Sequence, residues 1–525
     1  MSATVESVAG TPSSVRRVAP HLLGPRLPPL ATLWSLHRVR ALSAAFCLVV
    51  PLTIGLALGS PGAASVGALA GGFSAVYGHS LPYRRRAWIS AGTAVVIVCS
   101  IALGGFTGNR PVLLVLVLGG IAAAAAAGTA IWRIGPPGAL PPVLVAGSAS
   151  ALASAPDVVA QHVAAAAAAA ALSWVVVMLP WWWDPAGPER RAVQAASAAV
   201  TAAEGGALGP TRPGAVARAV RGAVAAVAMG SRRRPSLVTE VQEIEDRFAR
   251  ALPPVDPTGA SAVPAPDPSA IRQRRTPLWT STAARIGIGV SVAGLVAVAV
   301  DLPSPYWAAS SAVAVLLGVD ARHTRARAFH RVTGTLLGTL VAGAAFALQP
   351  PTAVTVLLVA VLLVAVELTI AHQYVISVAC LTPLVLLLVH LGAPDRPGTA
   401  LIVARIEENL VGMAVALLAG LFLFARAGSR RLPAAVTATT ACAVAAAHAP
   451  ARSPADRRLE DALVTLDEVA TAARAELFSA PGADAWGRRS RQVGDLSWAL
   501  LGARARGDAA LAAAVSARID AELAG

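Results

Sequence analysis

Tyr306-Trp307 opens an apolar run that ends in Asp320-Ala-Arg-His-Thr-Arg-Ala-Arg-Ala-Phe-His-Arg331, and Thr333-Gly-Thr-Leu-Leu-Gly338 follows at once. The stretch spells two membrane-length apolar segments joined by a short, strongly basic turn. A weaker copy stands upstream, where Pro82-Tyr-Arg-Arg-Arg86 runs into Gly92-Thr93. Displacing the chain by 242 residues lays Gly92 on Gly334, Arg85 on Arg327 and Thr93 on Thr335. A basic turn feeding a small-residue membrane helix, used twice, predicts a duplicated integral membrane protein and puts transport ahead of other functions.

The bulk numbers agree with a chain solvated largely by lipid. Hydrophobic residues make up 56% and charged residues only 14%, against about 25% charged in soluble domains. Mean hydropathy is +0.64. The net charge is +15, and all 43 basic residues are arginine. With the alanine runs, that choice reads as the codon bias of a GC-rich genome. The absence of lysine still excludes chemistry: no phosphate-binding Gly-Lys-Ser/Thr loop and no lysine Schiff base exist here. The arginines cluster beside membrane segments, so orientation in the bilayer explains them and nucleic acid is not an expected partner. Cys47, Cys99, Cys380 and Cys442 form no Cys-x-x-Cys pair and read as small apolar residues. Arg16, Arg17, Arg26, Arg38 and Arg40 lie among prolines and serines with no cleavable signal after them, which predicts a cytosolic tail.

Windows of about 20 apolar residues, the length that crosses ~30 Å of hydrocarbon, fall near 40–58, 63–80, 87–107, 112–131, 137–155 and 158–180, then 281–300, 306–319, 329–348, 352–371, 375–392 and 401–425. The expected fold is an all-α polytopic membrane protein with two parallel six-helix repeats and helical cytoplasmic domains. The boundaries are 1–38 for the N-terminal tail, 39–183 for the first repeat and 184–277 for a helical insert ending in a Pro-rich linker (Pro253 to Pro268). The second repeat then spans 278–427 and a C-terminal helical domain 428–525. Leu459, Leu463, Leu466 and Val469 recur at helix spacing in the last. Arg84–Arg86, Arg133 and Arg322/Arg325/Arg327/Arg331 share one face of the membrane, which makes that face and both termini cytoplasmic. Trp181-Trp182-Trp183 reads as part of an interfacial aromatic belt, and runs such as Ala164–Ala171 as close helix-packing surface.

Four features together resemble the fusaric acid resistance family, which includes aromatic acid exporters. They are Tyr306-Trp307 at the head of a segment, the basic turn running into Arg331-Val-Thr-Gly-Thr-Leu-Leu-Gly338, Leu381-Thr-Pro-Leu-Val-Leu-Leu-Leu388, and Arg405 followed by Asn409-Leu-Val-Gly412. The match covers about 150 residues, with the first half as its weaker repeat. It implies export of small organic, often aromatic, carboxylates. The chain departs from that pattern at Glu407-Glu408 and in the histidines His323 and His330 of the basic turn.

At 100° per residue, Arg327, Arg331, Gly334/Thr335 and Gly338 share a helix face, which would set two guanidiniums at the cytosolic mouth of a glycine-narrowed groove. That is the right charge for attracting carboxylates; the plainer reading is topology and lipid headgroups. Arg85 takes the corresponding place in the first half. Arg405, Asn409 and Gly412 share another face, an exit-side anion contact, or else Arg405 snorkels outward and pairs with Glu408 at i, i+3. Glu367 and Glu408 are the candidates for proton coupling, with a helix-terminal partner for a basic-turn arginine as the rival role for Glu367. His162 and His390 read as packed, hydrogen-bonded core histidines. No His/Cys/Asp/Glu cluster has metal-ligand spacing and no Ser-His-Asp elbow occurs, so no cofactor, metal or enzyme activity is expected.

The expected function is efflux of small organic anions such as aromatic carboxylates from a multi-pass inner (cytoplasmic) membrane protein. The alternative is a non-transporting scaffold or accessory subunit that binds a partner through its cytosolic helices. The expected partners are the anion and the lipid bilayer. A homodimer is left open, since the duplication already supplies a two-fold arrangement.

Overall fold

The computed structural model describes residues 27–153, 155–205, 213–230, 234–254, 276–317 and 321–524, with side chains in the last segment from 327 to 521. The tail arginines Arg16, Arg17 and Arg26, nearly all of the Pro-rich linker, and the side chains of Arg322, His323 and Arg325 lie outside the described residues. Among the described residues there are nineteen α-helices and no strand. The protein is an all-α polytopic membrane protein.

The first membrane unit holds α1 (Leu30–Ala57), α2 (Pro61–Ser74), α3 (Tyr83–Thr107), α4 (Pro111–Ile131), α5 (Leu140–Leu152) and α6 (Pro156–Met178). Three polar helices follow, α7 (Gly187–Glu204), α8 (Pro213–Ala228) and α9 (Pro235–Ala251). The second unit holds α10 (Leu278–Ala299), α11 (Tyr306–Leu316), α12 (Ala321–Leu348), α13 (Thr352–Thr369), α14 (Tyr374–Gly392) and α15 (Gly398–Phe422). The chain ends in α16 (Leu432–Ala447), α17 (Pro454–Arg474), α18 (Ala483–Arg506) and α19 (Ala509–Ala524). Proline starts α2, α4 and α6, where its missing N–H has no intrahelical acceptor to lose. The first helix begins ahead of the 38/39 boundary expected from sequence, so Arg38 and Arg40 are helical.

The displacement of 242 residues extends well beyond the basic turns. It carries Ala57 onto Ala299, Ser74 onto Leu316 and Pro156 onto Gly398, all helix termini. Packing repeats with it. Within each unit the third helix lies on the fifth and sixth; between units α4 packs on α10 and α13 on α1, a reciprocal exchange, while α2 meets α14 and α5 meets α11.

Among the described residues, eight helices are long and apolar enough to cross a membrane. The windows at 63–80, 137–155 and 306–319 give shorter helices instead, α2, α5 and α11, of 14, 13 and 11 residues. All eleven residues of α11 are buried. Apolar content here reflects burial against other helices, which composition alone does not separate from burial in lipid. α15 has 25 residues and carries Arg405, Glu407 and Glu408.

The polar helices pack together as one layer. Val193, Val220, Ile244 and Phe248 of the insert share a core with Leu459, Leu463, Leu496 and Trp498 of the C-terminal region. Phe248 and Trp498 meet edge-on at 6.0 Å, and Arg218–Asp467 (3.3 Å) and Arg452–Asp246 (3.2 Å) join the two segments. A capping box, Ser453 with Asp456, starts α17.

Glu460 on α17 is shielded in this layer. Its nearest cation, Arg221, is 3.5 Å away, and burial pushes its carboxyl up to about 7 from 4.5, with Arg221 opposing and Glu245 reinforcing. A raised folded-state value favours the protonated carboxyl, so the stability it brings is full below 4.5 and lost as pH rises through about 7. Thermal unfolding of the polar layer is expected to move to lower temperature across that window, and Glu460→Gln to flatten the profile. An unchanged slope in Glu460→Gln scanning calorimetry excludes this assignment.

Candidate functional site

On α12, Arg327 donates Nη1–H to the Ala314 carbonyl at 3.3 Å and its guanidinium lies 5.0 Å above the Tyr374 ring. One turn later Arg331 is 1% exposed, and after another turn Thr335 is equally buried. On α15, Arg405 is 2% exposed with its guanidinium 4.0 Å over Trp307, an attraction of about 2 kcal/mol when desolvated. Asn409 follows one turn on, also buried. Gly412 lets α15 approach the Ala308 backbone and the Ser311 side chain of α11. The antiparallel register set by Phe346 on Gly398 and Ile402 on Gly343 brings Thr335 level with Asn409. Arg331 stands near enough to Arg405 to act on it electrostatically.

These groups are short of partners. Arg331 Nε, Thr335 Oγ1, Arg405 Nε and Nη1, and Asn409 Oδ1 are buried and make no hydrogen bond among the described residues. Each such atom costs about 1–3 kcal/mol, and proteins keep few of them. Trp307 Nε1 and Tyr374 Oη are in the same condition. Glu408, fully buried, accepts the Ser304 backbone N–H at 2.6 Å and leaves its other oxygen unpaired. Two guanidiniums against one carboxylate leave the cluster cationic. Its unpaired N–H groups are donors suited to an anion.

The structure thus brings together Arg327, Arg331, Thr335, Arg405 and Asn409. Several other placements differ from expectation. Arg405 does not snorkel, because Trp307 offers its cation a buried face, and no Arg405–Glu408 ion pair forms because Glu408 turns to Ser304. Gly334 and Gly338 press on Val378 and Thr382 of α14 and so close a helix contact where a groove was expected. Glu367 is apart from the cluster on α13, 4% exposed, and its Oε2 lies 2.5 Å from Arg40 Nε on α1. The N–H is not aligned for a hydrogen bond, so the contact is an ion pair, and the first helix, not the basic turn, supplies the cation. His37 and His372 meet beside it at 5.6 Å. His162 is buried with Nδ1 unpartnered, while His390 Nδ1 lies 3.2 Å from the Arg396 carbonyl.

Arg85 occupies the corresponding place in the first unit and donates to the Trp132 carbonyl at 2.5 Å. Trp132 is the residue that the 242 displacement carries onto Tyr374, the partner of Arg327. Thr93 matches Thr335 as well, but the rest of the cluster is not duplicated: Ile89, Val163, Ala166 and Ala167 stand where the second unit has Arg331, Arg405, Glu408 and Asn409. Arg86, buried, is absorbed by the carbonyls of Leu81, His79 and Val177.

Residues 292–419 match the family model described as fusaric acid resistance protein-like. That segment lies within the second membrane unit, which is similar to the family. Arg327, Arg331, Thr335, Arg405 and Asn409 all fall inside the fusaric acid resistance-like segment, and Arg85 outside it. The chain is also 30% identical over 151 residues to the "Uncharacterized membrane protein YvaC" of Bacillus subtilis (strain 168), a match covering 29% of this chain and 24% of that protein. The chain therefore spans about a quarter of the relative's length. No solved structure matches.

Sequence reasoning missed Arg40, Trp307 as the platform for Arg405, and Tyr374 as the platform for Arg327. The Tyr306-Trp307 pair was visible as a motif. Its task was not, because a cation–aromatic contact between α11 and α15 joins residues almost a hundred positions apart.

Proposed function

We propose that this fusaric acid resistance-like protein exports small organic anions, with aromatic carboxylates as the substrate class. The observation that carries the reading is the pair of buried guanidiniums, Arg331 and Arg405, with N–H groups unpartnered among the described residues. Substrate enters past Arg327 at the basic turn. Its carboxylate passes from Arg331 to Arg405 along Thr335 and Asn409, while its ring slides against Tyr374 and Trp307. The basic turns face the cytoplasm, as does the polar layer, in an inner membrane. An inside-negative potential already favours outward movement of an anion, by about 2.3 kcal/mol per charge per 100 mV. Glu408, hydrogen-bonded within the cluster, is the nearer candidate for any proton coupling; Glu367 is held by Arg40. No chemical step is part of the reading.

Labelled p-hydroxybenzoate should enter inverted vesicles saturably, and Arg331→Ala should lower that uptake at least tenfold, the loss of one charged hydrogen bond, at unchanged membrane content. No uptake above empty vesicles over a panel of weak acids would move the assignment to a scaffold that transports nothing.

A further inference from the structure

A second feature lies in the first membrane unit, away from the arginine cluster. Between α3 and α4 runs a cavity of about 940 Å³ that reaches from Arg84 and Arg85 past Trp88 to Leu103. Along α3 that is about 28 Å, close to the ~30 Å of a hydrocarbon core. Small residues hollow it out. Gly92 faces it, and a Cβ there would meet nothing within 4 Å; Ala124, Ala125 and Gly128 form the α4 wall. The matching Gly334 of the second unit is packed tightly on Val378, so the duplicated position is a helix contact in one unit and an opening in the other. Met229, just after α8, lines the cavity as well and ties it to the polar layer.

Charge is confined to one end. Arg85 commits Nη2 to the Trp132 carbonyl, whereas Arg84 is exposed and has neither a hydrogen bond nor an ion pair among the described residues. An apolar slot in a membrane wall with cations at its mouth complements one kind of molecule, an amphiphile with an anionic head.

We propose that this slot binds an anionic phospholipid from the leaflet on the Arg84 side, with its phosphate on Arg84 and Arg85 and one acyl chain laid between Trp88, Gly92 and the small residues of α4. A single leaflet is about half the hydrocarbon thickness, so the chain fills the part of the slot nearest the arginines.

The full-length protein is reconstituted in nanodiscs of equal phosphatidylglycerol and phosphatidylcholine, extracted, washed, and its retained lipid read by native mass spectrometry. Wild type should retain phosphatidylglycerol over phosphatidylcholine by roughly fivefold or more, the preference expected per arginine near a charged interface. Arg84→Gln should lower the preference. Gly92→Leu, which fills open space and leaves the fold intact, should remove bound lipid of both kinds. Equal retention of both lipids by wild type, or phosphatidylglycerol retention untouched in both variants, overturns the proposal. A dimer mass that Gly92→Leu converts to monomer overturns it in favour of a contact between copies. Displacement of the bound lipid by p-hydroxybenzoate reassigns the slot to the transported anion.

Discussion

Gly412→Val should abolish the folded second membrane unit. A Cβ at Gly412 presses into the Ala308 carbonyl oxygen, well inside van der Waals contact, and stands 2.9 Å from Ser311 Cβ. Backbone cannot swing aside as a flexible side chain can, so α15 must lift from α11. Lifting separates Arg405 from Trp307 and Glu408 from the Ser304 N–H, leaving two buried charges with less compensation than before. Overpacking alone costs about 1–3 kcal/mol, and the loss of these contacts adds to it, which exceeds what a marginally stable fold tolerates. Fluorescence-detected size exclusion should show the monodisperse peak lost for Gly412→Val and kept for Gly343→Ala, whose new methyl sits an ordinary 3.5 Å from Ile402. A monodisperse Gly412→Val protein that still transports would show that α11 and α15 do not pack this closely.

The second large effect lies at the junction of the two units. Arg40→Ala leaves the buried Glu367 carboxylate without its cation, at an expected cost of roughly 3 kcal/mol, the low end for breaking a buried pair because Arg40 keeps some exposure. Arg40→Met with Glu367→Leu removes both charges from the α1–α13 contact and should restore most of the stability. The comparison is made by thermal unfolding in one detergent. A double variant as unstable as Arg40→Ala alone would mean the residues act separately.

How much of this was legible depends on sequence separation. The membrane class, the 242-residue duplication and the face shared by Arg327, Arg331 and Thr335 are local or periodic properties, and composition and helix geometry carry them. The pairing of Arg40 with Glu367 and of Arg405 with Trp307 depends on which helix lies beside which, and nothing within either segment encodes that. Arg405 shows the consequence clearly. One helix considered alone offers only Glu408 as a partner or an escape to the interface; the real solution is an aromatic face on α11. The three short helices were misjudged in length because a run of alanine, glycine and valine looks the same whether it meets lipid or other helices.

Those short helices bear on how the protein is made. A segment of 11 residues covers about 16 Å, so α11 cannot enter the bilayer as an independent span of ~30 Å. Its ends would strand backbone amides in hydrocarbon unless other parts of the protein receive them. The Ser304 amide just ahead of it is received by Glu408, which the ribosome supplies 104 residues later. Assembly of this unit is therefore not a helix-by-helix affair: the Ser304 amide gains its Glu408 partner only once α15 has been synthesised. Any truncation ahead of residue 408 leaves a chain whose centre has nowhere to settle.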